Sequence, residues 1–170
     1  MEQVRYLVEP LAEGEGTQRE RERRATHGLL CRLLEGFDDS PEMAHRESGA
    51  PYLPDHSDLW VSVSHCRRAV AVALSWKGPV GIDVECRRRV DEALMERVCT
   101  EAELSAVRSD SDPTMAFLRL WTQKEAVLKM RGTGIQGFGS MVKALGGSDF
   151  VLMDAEHGVP DVVATLCCAV

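Results

Sequence analysis

This chain lacks the marks of a specialised environment. No stretch approaches the roughly 18 apolar residues that a membrane-spanning helix requires. Its opening residues, Met1 to Tyr6, lack the basic stretch and apolar segment of a secretory signal, so a cytoplasmic location is the expectation. None of its six cysteines stands in a paired C-x-x-C spacing, which argues against a zinc ribbon and a secreted disulfide framework. There is no GxxxxGK[ST] loop and no GxSxG elbow. A Walker-type phosphate loop and an α/β-hydrolase nucleophile are therefore excluded. Positive charge is short as well: 20 Lys and Arg against 27 Asp and Glu leave −7. General nucleic-acid binding draws its affinity from Lys and Arg, so it is disfavoured.

What remains is an ordinary soluble composition, 170 residues with 44% hydrophobic and 28% charged. That is too apolar for a disordered chain. The length suits one domain or two small lobes. The acidity is uneven: residues 1–90 hold 13 basic and 15 acidic side chains, residues 91–170 hold 7 and 12. Arginines cluster at Arg19, Arg21, Arg23 and Arg24, at Arg67 and Arg68, and at Arg87 to Arg89. Each cluster is read as a solvated face or as a site for a small polyanion or an acidic protein.

Residues Val4–Val8 read as a short strand. Thr17-Gln-Arg-Glu20 fits a capping box, so a helix is expected from there to about Glu35, ended by Gly36. Residues 37–58 carry three of the seven prolines and read as loop. Leu59–Ser64 and Ala69–Leu74 alternate as strands do, and Val80–Glu85 makes a third run, together suggesting an antiparallel meander. Asp91–Cys99 reads as helical, Thr100 and Glu103 form a second capping box, and Asp112-Pro113 starts a long helix to about Met130. Strands are expected at Ser140–Leu145, Phe150–Asp154 and Val162–Ala169, with a turn at Glu156–Gly158. Gly132-Thr-Gly134-Ile-Gln-Gly137 has dinucleotide-loop spacing. It follows a helix and leads into an expected strand, the reverse of that motif, so it is read as a helix stop. His27 and Cys31 lie four apart on a helix, but no second ligand pair stands nearby for a metal.

Three constellations carry chemistry. Asp83 and Glu85 sit two apart on a strand, so both carboxylates project from one face. Side by side they repel, unless a cation neutralises them. Glu125 and Lys129 lie four apart in a helix rich in Phe, Leu, Trp and Val, where buried charge needs a partner. Ser62 and Ser64 share a strand face, with His65 at its end.

Together these segments resemble the 4′-phosphopantetheinyl transferases. Val80-Gly-Ile-Asp-Val-Glu85 is similar to their GxDxE strand, Trp121-Thr-Gln-Lys-Glu-Ala-Val-Leu-Lys129 to their W-[ST]-x-K-E-[AS]-x-x-K helix, and Ser62-Val-Ser-His65 to their SxSH strand. Gly49-Ala-Pro51-Tyr-Leu53 stands where they have G-K-P-x-L, with Ala50 in place of the lysine. The resemblance implies an α+β fold of two similar lobes, about 1–86 and 87–170, with the active site in the cleft between them. It implies transfer of the phosphopantetheine arm of coenzyme A to a serine of an acyl or peptidyl carrier protein, releasing adenosine 3′,5′-bisphosphate. On this resemblance Asp83, Glu85 and Glu125 would hold Mg²⁺, and Glu125 would take the serine proton. Lys129 would stand by the phosphates, with His65, Ser64 and Arg23, or Arg24 in its place, contacting coenzyme A. Lys124 and Glu103 match recurrent positions without an assigned role. A monomer suffices, with docking of an acidic carrier expected on an arginine cluster. The alternative is a silent coenzyme A-binding homologue, which Ala50 favours.

Overall fold

The computed structural model describes residues 3–38, 40–134 and 138–170. Strand β1 (Val4–Pro10) leads to helix α1 (Gln18–Leu33). The expected capping box is present: Thr17 Oγ1 accepts from the Glu20 N–H at 3.3 Å, and the Glu20 carboxylate accepts from the Thr17 N–H at 2.7 Å. The stretch read as loop contains a minimal hairpin, β2 (Ala44–His45) with β3 (Pro51–Tyr52). Strands β4 (Trp60–His65), β5 (Ala69–Ser75) and β6 (Val80–Cys86) follow where alternation places them. Helices α2 (Glu92–Val98), α3 (Glu101–Ser109) and α4 (Pro113–Met130) come next. The second capping box, at Thr100 and Glu103, opens α3, and Asp112 caps α4 by accepting from the Met115 N–H at 3.2 Å. Helix α5 (Phe138–Lys143) and strands β7 (Phe150–Asp154) and β8 (Val162–Ala169) complete an α+β fold. No helix among the described residues is long and apolar enough to cross a membrane.

The strand pairing departs from the meander. One sheet has the order β1-β5-β4 and the other β6-β8-β7, all antiparallel. Both edges of β5 are occupied, by β1 and β4, so β6 finds its ladder on β8 instead. A division that follows the sheets falls between Ser75 and Val80. Ser140–Leu145 is not a strand. It lies largely in α5, with Met141 buried in the helix and Ala144 buried just after it; six residues are too few for periodicity to separate the two cases. The Gly132–Gly137 segment still follows a helix, with Gly132 and Gly134 at φ +67° and +60°, but it leads to α5; residues 135–137 lie outside the described part. The turn expected at Glu156–Gly158 falls at residues 160–161, where Asp161 has φ 55°.

Strand β5 alternates by size rather than polarity. Val70, Val72 and Leu74 pack on Leu29, Leu30 and Leu33 of α1. Ala69, Ala71 and Ala73 face the other way, against Ile82, Val84 and Ala164 of the second sheet. These small side chains let the two sheets close on each other. On its far side the second sheet carries α4. Gly81 brings that helix onto β6, since a Cβ there would stand 1.9 Å from the Ala126 carbonyl oxygen.

Lys124 of α4 is fully buried. Its ammonium donates to the Val98 carbonyl at 3.0 Å, the Glu103 carboxylate at 2.9 Å and the Met141 carbonyl at 3.0 Å. Three helices are thereby tied to α4, through the same Glu103 that caps α3. Lys124→Met keeps the bulk but strands two carbonyls and a carboxylate. It should cost about 2–4 kcal/mol and lower the melting temperature by about 5–12 °C. Adding Glu103→Gln should return part of the loss; thermal melts of the two variants check both statements.

Candidate active site

Strands β4 and β6 lie side by side in different sheets. Among the described residues no backbone ladder joins them. Side chains do so instead. Ser62 Oγ accepts from the Ile82 N–H at 3.0 Å, and Ser64 Oγ accepts from the Val84 N–H at 3.3 Å. From α4, Lys129 Nζ donates to the carbonyls of Val63 at 3.3 Å and Ile82 at 3.1 Å. The sequence places both serines on one face; that their hydroxyls replace carbonyl acceptors across a sheet junction is visible only once β6 has its neighbours.

Asp83 projects into this junction. Its Oδ1 accepts from Ser64 Oγ at 2.7 Å and from Lys129 Nζ at 2.8 Å. Its Oδ2 is buried and has no partner among the described residues. Glu85, two residues along, is less buried and pairs with Arg88, at 3.3 Å from Nε and 3.4 Å from Nη2. Lys129 therefore pairs with Asp83 rather than with Glu125 one turn back on its own helix. All three of its protons have protein acceptors.

Glu125 completes the group from α4. Burial is the main cause that lifts its pKa from the usual 4.5 to about 7; the Asp83 and Glu85 charges add to the rise and Lys129 opposes it. Because the folded-state value lies above the unfolded one, the proton stabilises the fold below about 4.5, and that stability is lost as pH rises through about 7. Glu125→Gln cannot ionise. In EDTA at about pH 8 it should be more stable than the parent by about 1–2 kcal/mol, after allowance for solvent screening of a half-buried group. The gap should close by about pH 4, as thermal melts across pH will show.

The carboxylates are neighbours but not yet a closed ligand set: no group of three acidic, His or Cys side chains among the described residues forms one. The donors nonetheless suit a hard divalent cation, being carboxylate oxygens with an unsatisfied buried acceptor at the centre. His65 ends β4 exposed, its Nδ1 3.4 Å from Glu22 Oε1 on α1. Arg21 and Arg24 are spent on the Gly16 and Glu15 carbonyls, whereas Arg23 has no hydrogen bond among the described residues. Arg23 lines a groove of about 470 Å³ with His27, Ser40 and Met43. His27 Nδ1 lies 3.7 Å from Cys31 Sγ, and among the described residues no further metal-ligating side chain joins them. Ala50 lies at the β2–β3 turn, its carbonyl taken by the Arg46 N–H.

A family model described as the 4′-phosphopantetheinyl transferase superfamily matches residues 79–160, which include Asp83, Glu85, Glu125 and Lys129. Over these residues, just under half of the chain, the sequence is similar to that superfamily. Among relatives of this superfamily, it is 38% identical over 109 residues to the 4′-phosphopantetheinyl transferase AcpT of Salmonella typhimurium, covering 61% of this chain and 55% of that protein. It is 39% identical over 127 residues to a putative 4′-phosphopantetheinyl transferase of Haemophilus influenzae, covering 69% and 54%. Similarity to the transferase Sfp of Bacillus subtilis is 30% over 92 residues, covering 53% and 41%. The chain thus spans about half the length of the curated relatives it matches.

Proposed function

We propose that this protein transfers the 4′-phosphopantetheine arm of coenzyme A to a serine of an acyl or peptidyl carrier protein, with Mg²⁺ as cofactor. The observation that carries the reading is the buried Oδ2 of Asp83, which has no partner among the described residues, beside Glu85 and Glu125. Asp83, Glu85 and Glu125 would hold Mg²⁺, which when bound offsets the charge of the pyrophosphate and of the departing bisphosphate. The serine oxygen bonds to the phosphorus that carries the pantetheine arm. The bond from that phosphorus to the bridging oxygen breaks, and adenosine 3′,5′-bisphosphate leaves with the electron pair. Glu125, or a water it holds, accepts the serine proton. Lys129 sets a positive charge at the junction; His65 and Arg23 are the exposed groups suited to the cofactor's phosphates. Positioning and charge supply most of the catalysis in such transfers.

The two sheets, each with its helix, are read as two lobes with this junction as the cleft. Carrier docking is assigned to the arginines at the ends of β4 and β6. Arg68 and Arg87 are tied to Asp161, but Arg67 and Arg89 are exposed with no carboxylate partner among the described residues. Ala50 supports a second reading, a silent coenzyme A-binding homologue. Incubation with coenzyme A, Mg²⁺ and a panel of apo carrier proteins, followed by mass spectrometry of each carrier, separates the two. A mass gain of one phosphopantetheine arm is expected; an unmodified panel would overturn the transferase reading.

A further inference from the structure

We infer that Ser64 is a positioning residue: its hydroxyl holds the Asp83 carboxylate in one orientation, with Oδ1 consumed and Oδ2 presented to a divalent cation. The inference rests on the metal reading above and adds to it a role for a side chain otherwise assigned to phosphate contact. The Ser64 side chain is buried, and its single proton is already committed. It accepts from the Val84 N–H at 3.3 Å and passes its own proton to Asp83 Oδ1 at 2.7 Å. The backbone of β6 thereby orients the hydroxyl, and the hydroxyl orients a carboxylate on that same strand.

Lys129 donates to the same Oδ1 at 2.8 Å. Two donors converge on one oxygen and none among the described residues reaches the other, so rotation of the carboxylate would break both bonds. A carboxylate held this way offers one oxygen, not two, to a cation. Bonds that fix a metal-binding carboxylate typically alter metal affinity by about 10–100-fold when removed.

Ser62 is the internal control. It is equally buried, lies on the same strand face, and accepts from the Ile82 N–H at 3.0 Å. Among the described residues it donates to no carboxylate. Ser62→Ala and Ser64→Ala each orphan one β6 amide, so their structural costs should be alike. Only Ser64→Ala also frees Asp83.

The test is an Mn²⁺ titration of the full chain with coenzyme A present, read as loss of the free-ion electron paramagnetic resonance signal. Ser64→Ala should weaken Mn²⁺ binding by about 10-fold or more, Ser62→Ala by no more than about twofold, and Ser64→Thr should stay within about twofold of the parent. If Ser64→Ala does not fold, Ser64→Cys replaces it: the volume is kept, the thiol donates poorly, and the same loss is expected. Equal weakening by Ser62→Ala and Ser64→Ala would reduce Ser64 to a strand tie and overturn the role. So would a parent-like affinity in Ser64→Ala. A parent chain that takes up no Mn²⁺ overturns the metal reading itself, and the role of Ser64 with it.

Discussion

Gly81→Ala should leave little or no native protein under conditions where the parent chain is fully folded. The added methyl carbon would lie 1.9 Å from the Ala126 carbonyl oxygen, 2.7 Å from the Met130 nitrogen and 2.9 Å from the Ala126 carbonyl carbon. All three are backbone atoms of α4, so no side-chain rotation relieves the overlap. Strand β6 cannot retreat, because it is paired with β8 from Val80 to Cys86. The helix must move instead. That opens the cluster of Ala126, Val127, Met130 and Cys167 and draws Glu125 and Lys129 away from Asp83. Overpacking against soft side chains costs about 1–3 kcal/mol; against rigid backbone about 4 kcal/mol or more is expected, a large part of a domain's total. Circular dichroism melts should show a fall of about 10 °C or more, or no cooperative transition. A melting temperature within about 2 °C of the parent would mean that the helix and strand yield far more easily than this contact allows.

Asp83→Asn should fold and fail to transfer. The amide is nearly isosteric, and its oxygen can still accept from Ser64, so the β4–β6 junction keeps its shape. What disappears is the negative charge that faces Lys129 and, on the proposed reading, the cation. Loss of several kcal/mol of charge stabilisation corresponds to about 10²–10³-fold in rate. Asp83→Ala is the harsher variant, because it also removes the oxygen that accepts from Ser64 and from the partly buried Lys129 ammonium, a break that destabilises as well as inactivates. Initial rates of carrier loading, followed by mass spectrometry, check the pair. Asp83→Asn retaining more than about a tenth of the parent rate would remove the carboxylate from the mechanism.

The parts of this molecule legible in the sequence are those set by local chemistry. Thr17 with Glu20, Thr100 with Glu103 and Asp112 before Pro113 each start a helix where expected, because a cap is a contract among residues three apart. The period of two put Asp83 and Glu85 on one face, and the GxDxE and W-x-x-K-E segments bring Glu125 to them. The meander failed for the opposite reason. The partner of β6 is β8, some eighty residues further on, and nothing in Val80–Cys86 itself names it. The same distance hid the choice made by Lys129. Helical spacing offers it Glu125, while the fold offers Asp83 and two carbonyls on separate strands. Lys124 and Glu103 likewise become a pair only when α3 packs on α4.

The serine junction also sets a clock. The amides of Ile82 and Val84 are held by hydroxyls of β4 rather than by the β6–β8 ladder. Their hydrogens can exchange with solvent when the two sheets part, even while each sheet stays intact. Exchange at these two positions therefore times local opening between the sheets, separately from global unfolding. Two amide signals would report how often the junction between the sheets opens.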